Sequence, residues 1–417
     1  MRRRTRAVLA SALVVASFVS ATPALAARTD GLRDAEYWLS EYGIRTAWNT
    51  TKGAGITIAV IDTGVDGTAP ELQGAVLDGS DFSGLGSSDG QTPVGPADEQ
   101  DHGTMVASLA AGRGTGGESG VIGSAPAALI LPLSIGFGEG STTSDDQIAA
   151  AVRYAVDAGA DVINMSLTRN TLEWPTSWDD AFLYAMDHDV VIVAAAGNRG
   201  SGTTQVGAPA TMPGVLTVAG VDASGQASFD ASSQGITIGV AAPSESLVGV
   251  TPGGGHVLWN GTSGATPIVA GIVALVRAAH PDLDAANVIE RVVATAKDAG
   301  TPGADAIYGF GLIDAAAAVT ASVPLVDENP MGDLAEWIKV YRRAATTPVP
   351  IPTDTPAPPV PEEVVAGPAN PLGTVLPTVN LLRNVGIPLG VFLLFAVGFV
   401  LAVVRGVQRV RSVRRTG

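Results

Sequence analysis

The sequence predicts an α/β protein built on a doubly wound, mostly parallel sheet flanked by helices. Continuously apolar runs recur at 56–61, 128–134, 162–167, 190–196, 215–221 and 236–241. Runs without polar alternation suit parallel strands covered on both faces. Helical signals lie between these runs, and strand, helix, strand in repetition is the pattern of a doubly wound sheet. Hydrophobic residues make up 46% of the 417 and charged residues only 15%, which supplies a large core and argues against a disordered chain.

Taken in order, residues 1–26 read as a secretory signal. Arg2, Arg3, Arg4 and Arg6 precede an apolar run over 7–20, and Ala24-Leu25-Ala26 offers a small-x-small cleavage site. An apolar run of that length is short for a membrane anchor. Residues 27–55 form an N-terminal extension whose part 34–55 reads as a helix and turn packed on the body. The body spans 56–323. Within it, 144–159 carries a full set of helix signals. Ser144 and Gln147 make a capping box, Asp145 and Asp146 favour the positive end, Ile148, Ala151, Val152, Ala155 and Val156 form the buried stripe, and Gly159 stops it.

A connecting helix is expected over 324–347, then a proline-rich linker over 348–380. Ten prolines fall between Pro348 and Pro377, a composition that behaves as a semi-rigid spacer of up to roughly 90 Å at ~3.1 Å per residue. Residues 385–404 carry no charge and, as a helix of about 30 Å, match the hydrocarbon thickness. The tail 405–417 holds five arginines and no acid, so it is expected in the cytoplasm. The chain is therefore expected in the cell membrane as a single-pass protein with its body outside the cytoplasm.

The formal charge is −16 although both ends are basic, so the body is strongly acidic and would repel a phosphate backbone. That excludes nucleic acid as a partner. With no cysteine there is no disulfide, no thiolate nucleophile and no sulfur-based zinc site.

Three segments point to chemistry at the carboxyl ends of the strands, where doubly wound sheets place their sites. The first strand runs into Asp62-Thr63-Gly64, and the glycine lets the chain turn and leaves the carboxylate at the sheet edge. His102 lies in Asp101-His102-Gly103-Thr104, where Gly103 and Ala107 let the following helix approach the sheet. The other three histidines, His188, His256 and His280, read as surface or capping residues. Ser263 lies in Asn260-Gly261-Thr262-Ser263-Gly264-Ala265-Thr266-Pro267, which leads into an apolar helix over 268–279, proline being tolerated in a helix's first turn. It can act as a helix cap, or as a nucleophile beside unpaired N–H groups at the positive helix end. Together the three supply a nucleophile, a base and an orienting acid, the requirement for acyl transfer through a covalent serine intermediate.

These segments, "AVIDTGVD", "DHGTMVAS" and "NGTSGATPIVAG", resemble the signature segments of the subtilisin-like serine peptidases, the subtilases, in their order Asp, His, Ser. The resemblance spans about 34–320. It implies a parallel sheet of about seven strands and endopeptidase activity through Asp62, His102 and Ser263, with no cofactor required for catalysis. It further implies that Asn198, in "VIVAAAGNRG", is the side-chain oxyanion donor. It also implies that Ser166, Leu167 and Thr168 belong to a strand along which a peptide substrate adds. Thr168 and Arg169 stand where the family often has two glycines, so they are expected to crowd or re-aim the pocket for the residue before the cut. Gly264 stands where a larger residue is common, with little expected effect on the chemistry.

The order of signal, short extension, subtilase body, proline-rich stalk and membrane helix resembles the mycosins, membrane-anchored subtilases that accompany type VII secretion systems. Residues 27–55 are expected to be too short for a separate inhibitory pro-domain. No run of Asp and Asn has calcium-ligand spacing, and the acidic loop 89–101 reads as solvated, with a leaning toward basic or polar substrates. Two functions follow. One is a surface-anchored serine endopeptidase; the alternative is a subtilase-shaped structural subunit of a membrane secretion complex in which catalysis is dispensable.

Overall fold

A computed structural model describes residues 30–342 apart from Asp98 and Ser141. The expected signal, linker, membrane helix and basic tail lie outside the described residues.

Three short helices, α1 (Gly31–Ala35), α2 (Trp38–Glu41) and α3 (Ile44–Ala47), form the N-terminal extension. They are too short to persist alone and are held by burial of Trp38, Leu39, Ile44 and Ala47 in the main core. A polar latch adds to this. Arg33 donates to the carbonyls of Ser119 and Gly120, and buried Glu36 pairs with Arg33 Nε at 2.8 Å and accepts from Ile122 N at 2.8 Å.

The body follows in chain order as β1 (Thr57–Asp62), β2 (Ser80–Asp81), α4 (His102–Ala111), β3 (Leu129–Ser134), α5 (Ser144–Asp157), β4 (Val162–Met165), α6 (Thr176–Asp187), β5 (Val191–Ala195), β6 (Leu216–Val221) and β7 (Ile238–Pro243). These seven strands form one sheet in the order β2-β3-β1-β4-β5-β6-β7, parallel throughout. All six apolar runs are strands, with ends shifted by a few residues: Asp62 closes the first, and the run at 162–167 stops at Met165. The last begins at Ile238, because Ile236 lies in a turn and is 94% exposed. The edge strand β2 is two polar residues long, too short to leave a periodic signal.

The chain leaves β1 past β3 to the edge strand β2, then returns through β3 and, beyond β1, to β4 and β5. The connection from β2 to β3 carries α4, which packs against α7, whereas the next two connections carry α5 and α6, which pack on each other. The direction reverses at β1, so the crevice for a ligand opens at that strand's carboxyl end.

After β7 come an antiparallel hairpin, β8 (Leu247–Thr251) with β9 (Gly255–Trp259), then α7 (Thr262–Ala279), α8 (Ala285–Ala294), α9 (Ala315–Thr320) and α10 (Leu334–Tyr341). Among the described residues α7 alone is long and apolar enough to cross a membrane. It packs on β4 to β7 and against α4, with 83% of its residues buried inside the body. Its apolarity is that of a core helix.

The cap of α5 also needs correction. Thr143, one residue earlier than expected, accepts from Asp146 N at 3.2 Å. Gln147 is buried and turned to the preceding loop, where it accepts from Gly136 N and donates to the carbonyls of Glu139 and Thr142.

Candidate active site

The carboxyl ends of β1, β4 and β5, three neighbouring strands, present Asp62, Ser166 and Asn198. The amino ends of α4 and α7 present His102 and Ser263. His102, Ser166, Leu167, Thr168, Asn198 and Ser263 all line one cleft of about 400 Å³, and Asp62 lies buried behind His102.

Asp62 is the last residue of β1 and is fully buried. Its Oδ1 accepts from Thr63 N at 2.8 Å, and both oxygens face His102 Nδ1, at 2.8 and 3.0 Å. A carboxylate accepts hydrogen bonds, so the proton sits on Nδ1 and Nε2 keeps its lone pair for work as a base. Burial alone lowers the imidazole's pKa. The charge and hydrogen bond of Asp62, with a smaller push from Glu99, outweigh burial and lift it above its ordinary 6.5.

Sequence dictates the approach of α4. Gly103, its second residue, has no room for a side chain, because a Cβ there would overlap the carbonyl oxygen of Gly64. Thr63 fastens the same junction, with Oγ1 accepting from Gly103 N at 2.9 Å and donating to Gln100 O at 3.1 Å.

Ser263 is the second residue of α7, which starts at Thr262 and not after Pro267. Pro267 therefore sits in the second turn. It has no N–H to give the carbonyl four residues back, and that carbonyl belongs to Ser263. Ser166 Oγ supplies the missing bond, donating to Ser263 O at 2.8 Å. Buried Asn164 donates to Ser166 Oγ at 3.1 Å. In return Ser263 Oγ donates to the carbonyl of Ser166 at 3.1 Å. The resting hydroxyl is thus held on β4's end while sharing the cleft with His102, and catalytic hydrogen bonds often form only once substrate is bound.

Asn198 Oδ1 accepts from Thr262 N at 2.8 Å and from Thr262 Oγ1 at 2.9 Å. A backbone N–H can only donate, so it fixes which way the amide is turned. The Nδ2 donors are left without a hydrogen bond among the described residues and stand on the cleft wall beside Ser263. In α7's first turn the Thr262 N–H is taken by Asn198 and the Gly264 N–H by the Gly261 carbonyl, while the Ser263 N–H between them has no acceptor among the described residues. Side-chain and backbone donors therefore flank the Ser263 hydroxyl, an arrangement that can hold an oxyanion.

Sequence reasoning missed three contributors. Thr262 orients Asn198, and its place beside Ser263 in the same segment was the available signal. Trp259, on β9, stands edge-on to the His102 ring with centroids 5.7 Å apart. Thr203 forms part of the cleft wall. Two of the remaining histidines end helices, His188 closing α6 and His280 closing α7. His256 instead lies on β9 with Nε2 at 2.7 Å from buried Glu71. From the acidic loop, Glu99 reaches the cleft. Asp89 is engaged by Ser87 Oγ and Gln91 N. Among the described residues no three His, Asp or Glu side chains group as metal ligands.

Comparison with known proteins agrees with this geometry. A thermophilic serine proteinase of Bacillus sp. (strain AK1) is 38% identical over 277 residues, 66% of this chain, and the match spans 64% of that protein's length, just under two thirds. Mycosin-3 of Mycobacterium tuberculosis is 35% identical over 368 residues, 74% of this chain and 75% of the relative. The solved structure of MycP3, described as a protease from the type VII (ESX-3) secretion system, matches with a TM-score of 0.59 and 33% identity, covering 69% of this chain and 88% of that one. Residues 53–311 match the subtilase family, and the chain belongs to that family.

Proposed function

We propose that the protein is a membrane-anchored, extracytoplasmic serine endopeptidase that cuts peptide bonds through an acyl-enzyme. Ser263 is the nucleophile and His102 the base, Asp62 fixes the imidazole, and Asn198 with the Ser263 N–H receives the oxyanion. The observation that carries this reading is the Asp62–His102 pair at 2.8 Å, in a cleft where Ser263 and the free amide donors of Asn198 also lie.

As His102 Nε2 takes the hydroxyl proton, the serine oxygen adds to the scissile carbonyl. The charge that develops on the carbonyl oxygen meets fixed donors, and His102 then returns the proton to the leaving amine. Every group in this sequence is a side chain or backbone N–H of this chain.

A fluorophosphonate probe on the full chain tests it. Labelling of the wild type that disappears in Ser263→Ala is expected. Absence of labelling in folded wild type would refute the enzyme and favour the structural subunit. In favour of the subunit stands the resting bond of Ser263 to Ser166 instead of to His102. In favour of the enzyme stands the whole set of four groups.

Anchoring belongs to the same proposal. The uncharged composition of 385–404 supports that segment as the span, the arginines of 405–417 support a cytoplasmic tail, and the prolines of 348–380 support a linker between body and span. Deleting 385–417 is expected to move the protein to the soluble fraction, and continued membrane retention would overturn that assignment. The mycosin relatives suggest a type VII secretion complex as the setting, which co-purification from native membranes tests.

A further inference from the structure

On the peptidase reading the scissile carbonyl lies at Ser263 Oγ, in a cleft lined by two segments: Ser166, Leu167 and Thr168 after β4, and Asn198 after β5. Both flank the cleft, and two glycines, Gly197 and Gly207, lie behind its wall. Without side chains of their own, the two glycines leave a slot behind that wall for neighbouring groups to fill.

Here the slot is filled from within. A Cβ on Gly197 would lie 2.6 Å from Thr203 Cγ2 and 3.1 Å from Thr168 Cγ2. A Cβ on Gly207 would overlap the carbonyl of Arg169 and lie 2.8 Å from Thr168 Oγ1. Thr168 and Thr203 form part of the cleft surface, so the cavity ends at their methyl and hydroxyl groups.

Both threonines are tied to backbone that is itself fastened. Thr168 Oγ1 donates to Arg169 O at 3.2 Å. Arg169 N donates to Ala208 O at 2.8 Å, and the Arg169 guanidinium pairs with Asp145 at 2.7 Å over the Trp178 ring. Thr203 is 5% exposed, and its N–H donates to Asn198 O at 3.0 Å. An interior packed this closely yields little to an added side chain.

Resting on the peptidase reading, we propose that Thr168 and Thr203 restrict the residue before the cut to a small side chain, alanine, serine or glycine, and exclude leucine and aromatic residues. The site is a shallow cup with a mixed methyl and hydroxyl floor.

The test uses the full chain in detergent and tetrapeptide anilides that differ only in the residue before the cleaved bond: alanine, serine, leucine or phenylalanine. Rates are normalised to sites titrated with fluorophosphonate. Wild type is expected to favour alanine over phenylalanine in kcat/KM by about 100-fold. Thr168→Gly should shrink that ratio at least tenfold, whereas Thr168→Val, of equal bulk without the hydroxyl, should keep it. Should Thr168→Gly not fold, Thr168→Ala and Thr203→Ala are expected to shift the ratio in the same direction. Equal cleavage of the alanine and phenylalanine substrates by labelled wild type would overturn the cup and leave the peptidase reading intact. So would a ratio untouched by these truncations. Absence of labelling would overturn the peptidase reading itself, and the cup with it.

Discussion

Adding one methyl group at Gly103 should disable the site without touching a reacting atom. The Cβ of alanine there would overlap the carbonyl oxygen of Gly64, with that residue's carbonyl carbon and nitrogen next, at 3.1 and 3.2 Å. All three are backbone atoms of the turn that follows Asp62. The turn cannot retreat, since Gly64 is itself confined. A Cβ there would meet the carbonyls of Thr92 and Gly90 at 2.9 and 3.0 Å. The helix must give way instead, and restoring ordinary van der Waals separation takes a displacement of roughly 1 Å. His102 begins that helix and moves with it, away from its 2.8 Å bond to Asp62 and out of line with Ser263. A misplacement of about 1 Å costs on the order of 100-fold in rate. Overpacking costs about 1–3 kcal/mol, partly offset by the ~0.8–1 kcal/mol by which alanine favours a helix over glycine. Gly103→Ala is therefore expected to fold, with slightly lowered Tm and kcat/KM down about 100-fold. Peptide hydrolysis normalised to titrated sites, together with thermal unfolding, measures both. Gly31→Ala, where an added Cβ meets nothing within 4 Å, serves as the neutral control. A Gly103→Ala enzyme with wild-type kcat/KM would refute the argument that the closeness of α4 positions the imidazole.

Three further outcomes are expected. His102 must be neutral to accept a proton, and its pKa is raised by Asp62 against the opposing effect of burial. kcat/KM should therefore fall with acidification through a midpoint above 6.5, and a midpoint at or below that value counts against the pair. Asn198→Ala should lower kcat by about 10²–10³, or ~2.7–4 kcal/mol, with KM little changed; that magnitude is known for subtilisin and carried to this chain, and a loss confined to KM would reassign the residue to substrate binding. Burial pushes the Glu36 carboxyl up to about 8 against the pull of Ile122 N–H and Arg33. A raised folded pKa gives stability that is complete below the ordinary 4.5 and lost as pH rises through about 8. Wild-type Tm should fall over that window, and Glu36→Gln should flatten the slope; an unchanged slope would show that Glu36 stays ionised in its latch.

The sheet was legible because its strands are buried on both faces and need no alternation to be recognised. The same reasoning could not see β2, whose two residues carry no pattern, or the β8–β9 hairpin, half of which is exposed. The place of the candidate site was legible, since Asp62 closes a strand, Asn198 follows one, and His102 and Ser263 open helices, positions that sequence marks with glycine and apolar runs. It was less legible in its supports. That Thr262 pins the Asn198 amide, and that Ser166 takes over the bond Pro267 cannot make, depend on distances across 64 and 97 positions of chain. Local pattern carries no record of these. Reading Pro267 as part of a helix's first turn placed the start of α7 too late, and so hid the one carbonyl that the proline releases.

Gly264, from which little effect on the chemistry was expected, shapes the site through its neighbours. A Cβ at this position would overlap Leu247 Cδ1 and lie 3.3 Å from Trp259 Cζ2 and 3.4 Å from Leu109 Cδ1. Leu247 and Trp259 are the first residue of β8 and the last of β9, paired across the hairpin. A side chain at position 264 therefore requires the end of the Leu247 side chain to shift and presses on the Trp259 ring. Because glycine stands there, Leu247 is fully buried against α7, and Trp259 reaches the edge of the His102 ring. The side chains at the hairpin's ends thus occupy the volume that a larger residue after the serine would hold, and an indole walls the imidazole on that side. Gly264 and Trp259 consequently have to be considered as one unit. Enlarging position 264 would act on His102 through the tryptophan, and its effect would be suppressed by trimming Leu247.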